Sequence, residues 1–391
     1  MLQTEEERIN MLQAEKQRFV YIDNLRLLMI FFVVIMHAAV TYSGMGSWYY
    51  IEETQLGLIS TIVFGLYQSF TQAYFMGFLF LISGYFVPAS YDKKGFKKFI
   101  KDRLIRLGIP TLIFMIVINP FTVYFLLKTP WHEVRPSFWS YYSNYIIKLE
   151  LVGGSGPLWF AFALLIFNII YALFRKLIKN KGTRLEKDIP RFSKILLLIL
   201  IIAVVAFLIR IVQPIGTSIL NMQLSFFSQY IILFIVGIWS YRNNWFSKLD
   251  TILGSRWLKA ALIPGVIMWA VVMITGGALD GNFLFYGGLR WQSAAYALWE
   301  SFIAVAMSIG LIVLFREKFN KQNHFIKILS DNSFSVYMFH TPVLVAISLL
   351  MKEMAFPALI KFLFLCIFGT ATCFLMTNYI FKKIPLLNKV L

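Results

Sequence analysis

The chain has 391 residues, of which 59% are hydrophobic and 14% charged, with a formal net charge of +18; its mean hydropathy is +0.70. Soluble domains sit near half apolar and a quarter charged, so this composition excludes an ordinary soluble enzyme and predicts an all-α, polytopic membrane protein. The positive charge does not mark a nucleic-acid binder, because the basic residues fall between apolar segments, where orientation signals belong.

Residues 1–21 are polar, hold Glu5, Glu6, Glu7 and Glu15, and read as a cytosolic segment rather than a signal peptide. A transmembrane domain follows over 22–383, with a cytosolic tail at 384–391. A span needs roughly 20 apolar residues, and ten stretches qualify: about 22–43, 58–88, 104–127, 157–175, 195–213, 224–241, 258–276, 292–315, 332–351 and 357–381. All must be helices, since an open sheet leaves its backbone unsatisfied in lipid. The 58–88 stretch is long enough to be either tilted or broken at Gly77 or Gly84.

Every second connection is basic. Lys93, Lys94, Lys97, Lys98, Lys101, Arg103 and Arg106 follow the second span, and further clusters lie at 175–194, around Arg242 and Lys248, around Arg316 and Lys318, and at Lys382 and Lys383. The intervening connections carry few or no basic residues. By the positive-inside rule, ten spans leave both termini cytosolic and the protein multi-pass in the cell membrane. Cys366 and Cys373 lie in the last span with no zinc or disulfide pattern and read as packing residues.

Ionisable side chains inside spans point to function. Arg26 and His37 are eleven residues apart, which on a helix is three turns plus about 20°, so both project from one face, roughly 16 Å apart along the axis. Arg26 then lies near the inner surface and His37 near mid-membrane, an arrangement suited to an anionic substrate that enters from the cytosol and reacts at depth. His340 sits at a similar depth in the ninth span, with Tyr337 three residues earlier on its face. Glu300 enters from the outer side. Two roles suit it, orienting His37 or binding acceptor hydroxyls; a structural ion pair with Arg210 or Arg290 is the competing reading. Arg103 and Arg106 are placed i,i+3 on the start of the third span, where paired cations hold phosphates. Ser83-Gly84 reads first as a close helix contact. The aromatic stretch at 128–156, with Trp131, reads as an interfacial belt or as a sugar-stacking surface.

These elements resemble the membrane acyltransferase 3 family. Arg26 and His37 match its R-x10-H motif. "FLFLISGYF" followed by "FIKDRLIRLGIP" is similar to its Ser-Gly and R-x-x-R-[LI]-x-x-P elements, and "PLWF" at 157–160 and "SFSVYMFHTP" at 333–342 are similar to its later landmarks. The resemblance covers about 22–345, and its spacing is nearer the glucan-modifying succinyltransferases than the branch with a fused esterase-like domain. It implies transfer of an acetyl, succinyl or similar group from cytosolic acyl-CoA to a hydroxyl of an extracytoplasmic or lipid-linked glycan, without a metal. His37 would be base or acyl carrier, with Arg26, Tyr337 and His340 in the catalytic group; Glu300 matches none of the family's landmarks and joins that group on its intramembrane position alone. Arg26, Ser83, Lys101, Arg103 and Arg106 would hold the donor, and Trp131, Trp159 and Glu300 the acceptor. The competing class is a transporter of a glycan or small anion, with His37, His340 and Glu300 as a proton relay. The partners expected are the lipid bilayer and the glycan acceptor, with no nucleic acid; a homodimer is compatible with the sequence.

Overall fold

The computed structural model describes residues 20–52, 55–128, 136–178 and 187–383, so Trp131 and most of both terminal segments lie outside the described residues. Among the described residues, nine helical stretches are long and apolar enough to cross a membrane, and the only β-pairing is an isolated bridge between Ile219 and Met222. In chain order the helices are α1 (Val20–Ser43), α2 (Leu58–Gln72), α3 (Phe75–Arg103), α4 (Phe138–Ile147), α5 (Trp159–Ile178), α6 (Phe192–Val212), α7 (Phe227–Asn243), α8 (Thr251–Leu262), α9 (Pro264–Thr275), α10 (Trp291–Lys318) and α11 (His324–Leu350). The last stretch runs Ala358–Lys383.

One stretch, Leu58–Leu127, is 70 residues long. As a single rod it would measure about 105 Å, more than three hydrocarbon thicknesses. It is not a rod. Gly95 takes φ +67° and ψ 173°, and the chain doubles back there. Lys94 Nζ reaches Asp102 Oδ2 at 2.9 Å, and the Tyr91 and Phe99 rings lie 5.5 Å apart. Eight residues of straight helix would hold either pair about 12 Å apart along the axis. Glycine suits this turn because the left-handed region is open to it without a Cβ penalty.

Parity confirms the reversal. Asn24 Nδ2 donates to the carbonyls of Phe319 (2.7 Å) and Lys321 (3.1 Å), and His37 meets His340 further along. α1 and α11 therefore run parallel. Five other candidate spans separate them besides Leu58–Leu127, so that stretch must cross twice, and the nine stretches make the ten crossings expected from the sequence. α3 and α7 give the same answer: Phe80 packs on Tyr230 at 5.0 Å and Tyr85 on Phe246 at 4.3 Å, again in parallel register.

The break expected at Gly77 or Gly84 lies elsewhere, at Tyr74 (φ −135°, ψ −34°) and at Gly95. The two glycines stay helical because they are used for close approach. A Cβ on Gly84 would fall 2.2 Å from the Phe234 carbonyl oxygen, and one on Gly237 would fall 2.1 Å from that of Leu81. The backbones of α3 and α7 thus touch through small residues, the contact that lipid-embedded helices favour. Past Gly95 the helix widens into π turns at Leu104–Gly108 and Phe114–Ile118. Pro110 and Pro120 follow these turns; proline has no N–H and clashes with the carbonyl four residues back, which the wider turn relieves. Thr111 and Thr122 hydroxyls bond the Leu107 (2.7 Å) and Ile118 (2.6 Å) carbonyls.

The basic connections gather at one end of the bundle. Asp92 takes Arg175 (3.0 Å) and Arg242 (2.7 Å), and Arg316 donates to the carbonyls of Phe246, Ser247 and Leu249. Gly237→Ala should cost about 1–3 kcal/mol through overpacking, seen as a lowered melting temperature in detergent. Gly57→Ala, where an added Cβ meets nothing within 4 Å, should leave it unchanged; equal losses would show that the helix contact is not the tight one described.

Candidate active site

α1 is one unbroken helix from Val20 to Ser43, so the shared face of Arg26 and His37 stands. His37 is about 26 Å along α1 from Val20 and about 9 Å from its Ser43 end, in the third of the helix away from the basic end.

There it meets His340. Nδ1 of His37 and Nε2 of His340 are 3.0 Å apart, and Nδ1 of His340 is 2.9 Å from the Tyr337 carbonyl oxygen. A carbonyl only accepts, so in the neutral ring Nδ1 of His340 carries the proton and Nε2 presents a lone pair. His37 must then donate from Nδ1, which leaves its own Nε2 bare. The Tyr337 main chain, acting through His340, thus helps to set which nitrogen of His37 is free to accept a proton, together with the hydrogen bond that the His37 ring makes to the Val33 backbone. Orienting a histidine by its second nitrogen is the logic by which serine hydrolases hold their base, here with a neutral ring in place of a carboxylate.

The rest of Tyr337 is committed elsewhere. Its hydroxyl donates to the Pro157 carbonyl, and Phe160 meets its ring edge-on at 6.3 Å. The "PLWF" and "SFSVYMFHTP" segments are thus in contact, and the Tyr337 main chain reaches His340 while its hydroxyl reaches Pro157. Trp159 is half-buried and stacks on Tyr230 at 5.7 Å.

Glu300 does not join the histidines in a hydrogen bond. Its carboxylate pairs with Arg210, fully buried on α6, between the Phe226 and Tyr296 rings. The structural reading of Glu300 prevails over the histidine-orienting one, and the relay His37–His340–Glu300 is not assembled. The cause is physical: a buried carboxylate and a buried guanidinium each lose their hydration, and pairing is the way both stay charged.

At the basic end, the Arg26 guanidinium lies over Phe86 at 4.6 Å and bonds Asp23 at 3.1 Å. Arg103 lies over Phe99 at 4.9 Å, and its Nε is buried without a partner. Arg103 is attracted by Asp102 and repelled more weakly by Arg106 and Arg26. Asp102 is in ion pairs with Lys94 (2.9 Å) and Arg106 (3.2 Å), and its pull on Arg103 is longer-ranged. Lys101 is exposed at the same end. Ser83 is half-buried one helical turn from Phe86, on the face of α3 that carries Arg26's ring partner. The arrangement places Arg26, Lys101, Arg103 and Arg106 at one end and the His37–His340 pair toward the other. Among the described residues, no three His, Cys, Asp or Glu side chains group closely enough to hold a metal ion.

Sequence reasoning did not select Trp48, whose ring stacks on His37 with centroids 3.8 Å apart. It lies in the connection after α1, and nothing in "SGMGSWYY" announces that this loop folds back over the helix it leaves. Lys361, buried and bonded to Glu52 at 2.7 Å, was likewise passed over.

A family model described as an acyltransferase domain matches residues 19–378. No curated protein and no solved structure matches the chain.

Tyr337→Phe should cost about 1–3 kcal/mol, because the Pro157 carbonyl is left unpaired, while turnover stays within about tenfold of wild type. A loss as deep as that from removing His37 would mean that the hydroxyl takes part in the chemistry.

Proposed function

The chain belongs to the acyltransferase-domain family, and on that premise we propose that it moves an acyl group from acyl-CoA at the basic end to a hydroxyl of a glycan or lipid-linked sugar at the other. What carries this reading is the His37–His340–Tyr337 hydrogen-bond geometry, which with both rings neutral places the proton of His37 on Nδ1 and leaves Nε2 bare. A neutral imidazole with a free lone pair is the general base that an attacking hydroxyl needs. The proton of the acceptor hydroxyl passes to His37 Nε2 as its oxygen attacks the thioester carbonyl, and His37 returns it to the departing thiolate.

The charge pattern supports the direction. Basic connections belong on the cytosolic side, which is also where acyl-CoA is made. Arg103, with a buried unpartnered Nε, gains from an anion at this end: a phosphate accepts from it and adds to the pull of Asp102 against the nearby arginines. Lys101 and Arg106 extend the positive surface outward. From Arg26 the α1 face leads roughly 16 Å to His37, a path along which the donor's slender arm delivers the thioester while its charged nucleotide stays outside the lipid. Ser83 borders that path. The acyl group we favour is succinyl or acetyl, following the resemblance to the glucan-modifying branch, and the acceptor is met in the outer leaflet of a cell membrane. The transporter reading loses its relay, since Glu300 is spent on Arg210.

Purified protein in nanodiscs, assayed for CoA release from acetyl- and succinyl-CoA, tests the reading. His37→Gln keeps a hydrogen bond but accepts no proton, so turnover should fall by the roughly 10²–10⁴-fold typical of general-base loss, and the rise of turnover with pH should disappear. More than a tenth of wild-type activity in that variant would make the histidine structural. Arg103→Ala should raise KM for acyl-CoA by about tenfold, the effect of one charge-assisted contact at about 1.4 kcal/mol, yet leave KM for a truncated thioester unchanged. Equal losses with both donors would remove the phosphate site from this end.

A further inference from the structure

The strap Gly44–Glu52, which leaves the far end of α1, folds back over the histidine pair and is tied down along its length. Glu52 N donates to the Thr41 carbonyl at 2.9 Å, and Lys361 Nζ donates to Glu52 Oε1 at 2.7 Å. The Tyr49 hydroxyl donates to Asn119 Oδ1 at 2.5 Å. Asn119 Nδ2 then donates to the Tyr145 hydroxyl at 3.0 Å, which donates to the Met115 carbonyl at 2.8 Å. The fit is close: a Cβ on Gly156 would lie 2.6 Å from the Tyr49 hydroxyl, and one on Gly154 would lie 2.2 Å from that of Tyr145. Neighbours on both sides of Trp48 are therefore anchored, and the indole is held rather than free to swing.

Trp48 uses this hold to cover the dyad. Its ring is tilted 21° to His37 at 3.8 Å and lies within 11° of parallel to His340 at 5.9 Å; Tyr49 braces it edge-on at 5.2 Å. A phenylalanine would stack as well. What tryptophan adds is one N–H, and here Nε1 is buried with no acceptor. An orphaned buried donor costs about 1–3 kcal/mol, a cost that a bound ligand's oxygen removes. The other N–H groups of the cluster are engaged: Nδ1 of His340 on the Tyr337 carbonyl and Nδ1 of His37 on His340.

We infer that the Trp48 indole N–H is the hydrogen-bond donor to the thioester carbonyl oxygen as it becomes an oxyanion. The inference rests on the acyl-CoA reading above. The acceptor oxygen attacks the carbonyl carbon while its proton moves to Nε2 of His37. The carbonyl π pair shifts onto oxygen, where Trp48 Nε1–H receives it. The oxyanion then collapses, the carbon–sulfur bond breaks, and the thiolate takes the proton from His37. The products are an ester and free CoA thiol. A fixed donor aimed at developing charge in a water-poor site is among the strongest devices for such a step.

The test replaces Trp48 with its benzothiophene isostere, which keeps ring size and stacking and lacks the N–H, with Trp48→Phe as the genetically encoded counterpart. Both should lose about 10²–10³-fold in kcat, the effect of removing one oxyanion donor, with little change in KM for acyl-CoA and no fall in the isostere's melting temperature, since the isostere lacks the unpaired N–H. A ring that only packs would give the isostere wild-type kcat, and retention of more than about a third of it would overturn the assignment. Wild-type CoA release sets the baseline in the same assay. A wild type without turnover overturns the acyl-CoA reading and this inference with it, whereas an active wild type beside an equally active isostere overturns the Trp48 role alone.

Discussion

A hydrogen bond between two imidazoles, 303 positions apart in the chain, is the contact around which the bundle is arranged. It requires α1 and α11 to lie side by side and parallel, which requires an odd number of crossings between them. The reversal at Gly95 supplies the crossing that makes the number odd. It also requires α11 to be held at a fixed height, which the Tyr337 hydroxyl on Pro157 and the Asn24 amide on the Phe319–Lys321 turn provide. A shift of one residue along α11 would turn His340 by about 100° and break the pair.

Polar groups inside the bundle follow one rule with two outcomes. Where full charges are buried they are paired, as in Arg210–Glu300 and Lys361–Glu52, and these pairs join segments that are distant in the chain. Where chemistry is proposed, the groups are neutral and the hydrogen bonds run in one direction, from ring N–H to ring nitrogen to carbonyl. A carboxylate in place of His340 would bring a second buried charge and its desolvation penalty. A second imidazole fixes the tautomer without one. The Trp48 indole N–H and Arg103 Nε are two of several buried polar atoms that have no partner, Trp269 Nε1 among them; these two lie where the proposed donor passes.

Much of this was legible in the sequence because lipid imposes few and strong constraints. Span length, helix and the alternation of basic connections all follow from a bilayer's thickness and polarity, and the R-x10-H spacing places two residues on one face by helical geometry alone. What was not legible depends on how helices meet. Gly77 and Gly84 looked like breaks because glycine weakens a helix, but packing against α7 overrides that propensity. Glu300 was legible as special and not as Arg210's partner, since α6 and α10 are brought together only by the fold. His37 and His340 were each read at similar depth, yet their direct contact needed the parallel register. Trp48 left no signal, because a loop's return path is set by its anchors, Asn119 and Lys361, which lie far along the chain.

The central claim is that His37 presents an unprotonated Nε2 because His340 and the Tyr337 carbonyl hold its proton on Nδ1. Solid-state NMR of ring-nitrogen-labelled histidine in bilayers, with His37 assigned by difference against His37→Gln, reads that tautomer directly. The account predicts neutral His37 with the proton on Nδ1, changing to a tautomer mixture in His340→Ala. A His37 protonated on Nε2 in the wild type, or one unaltered by the loss of His340, would contradict it.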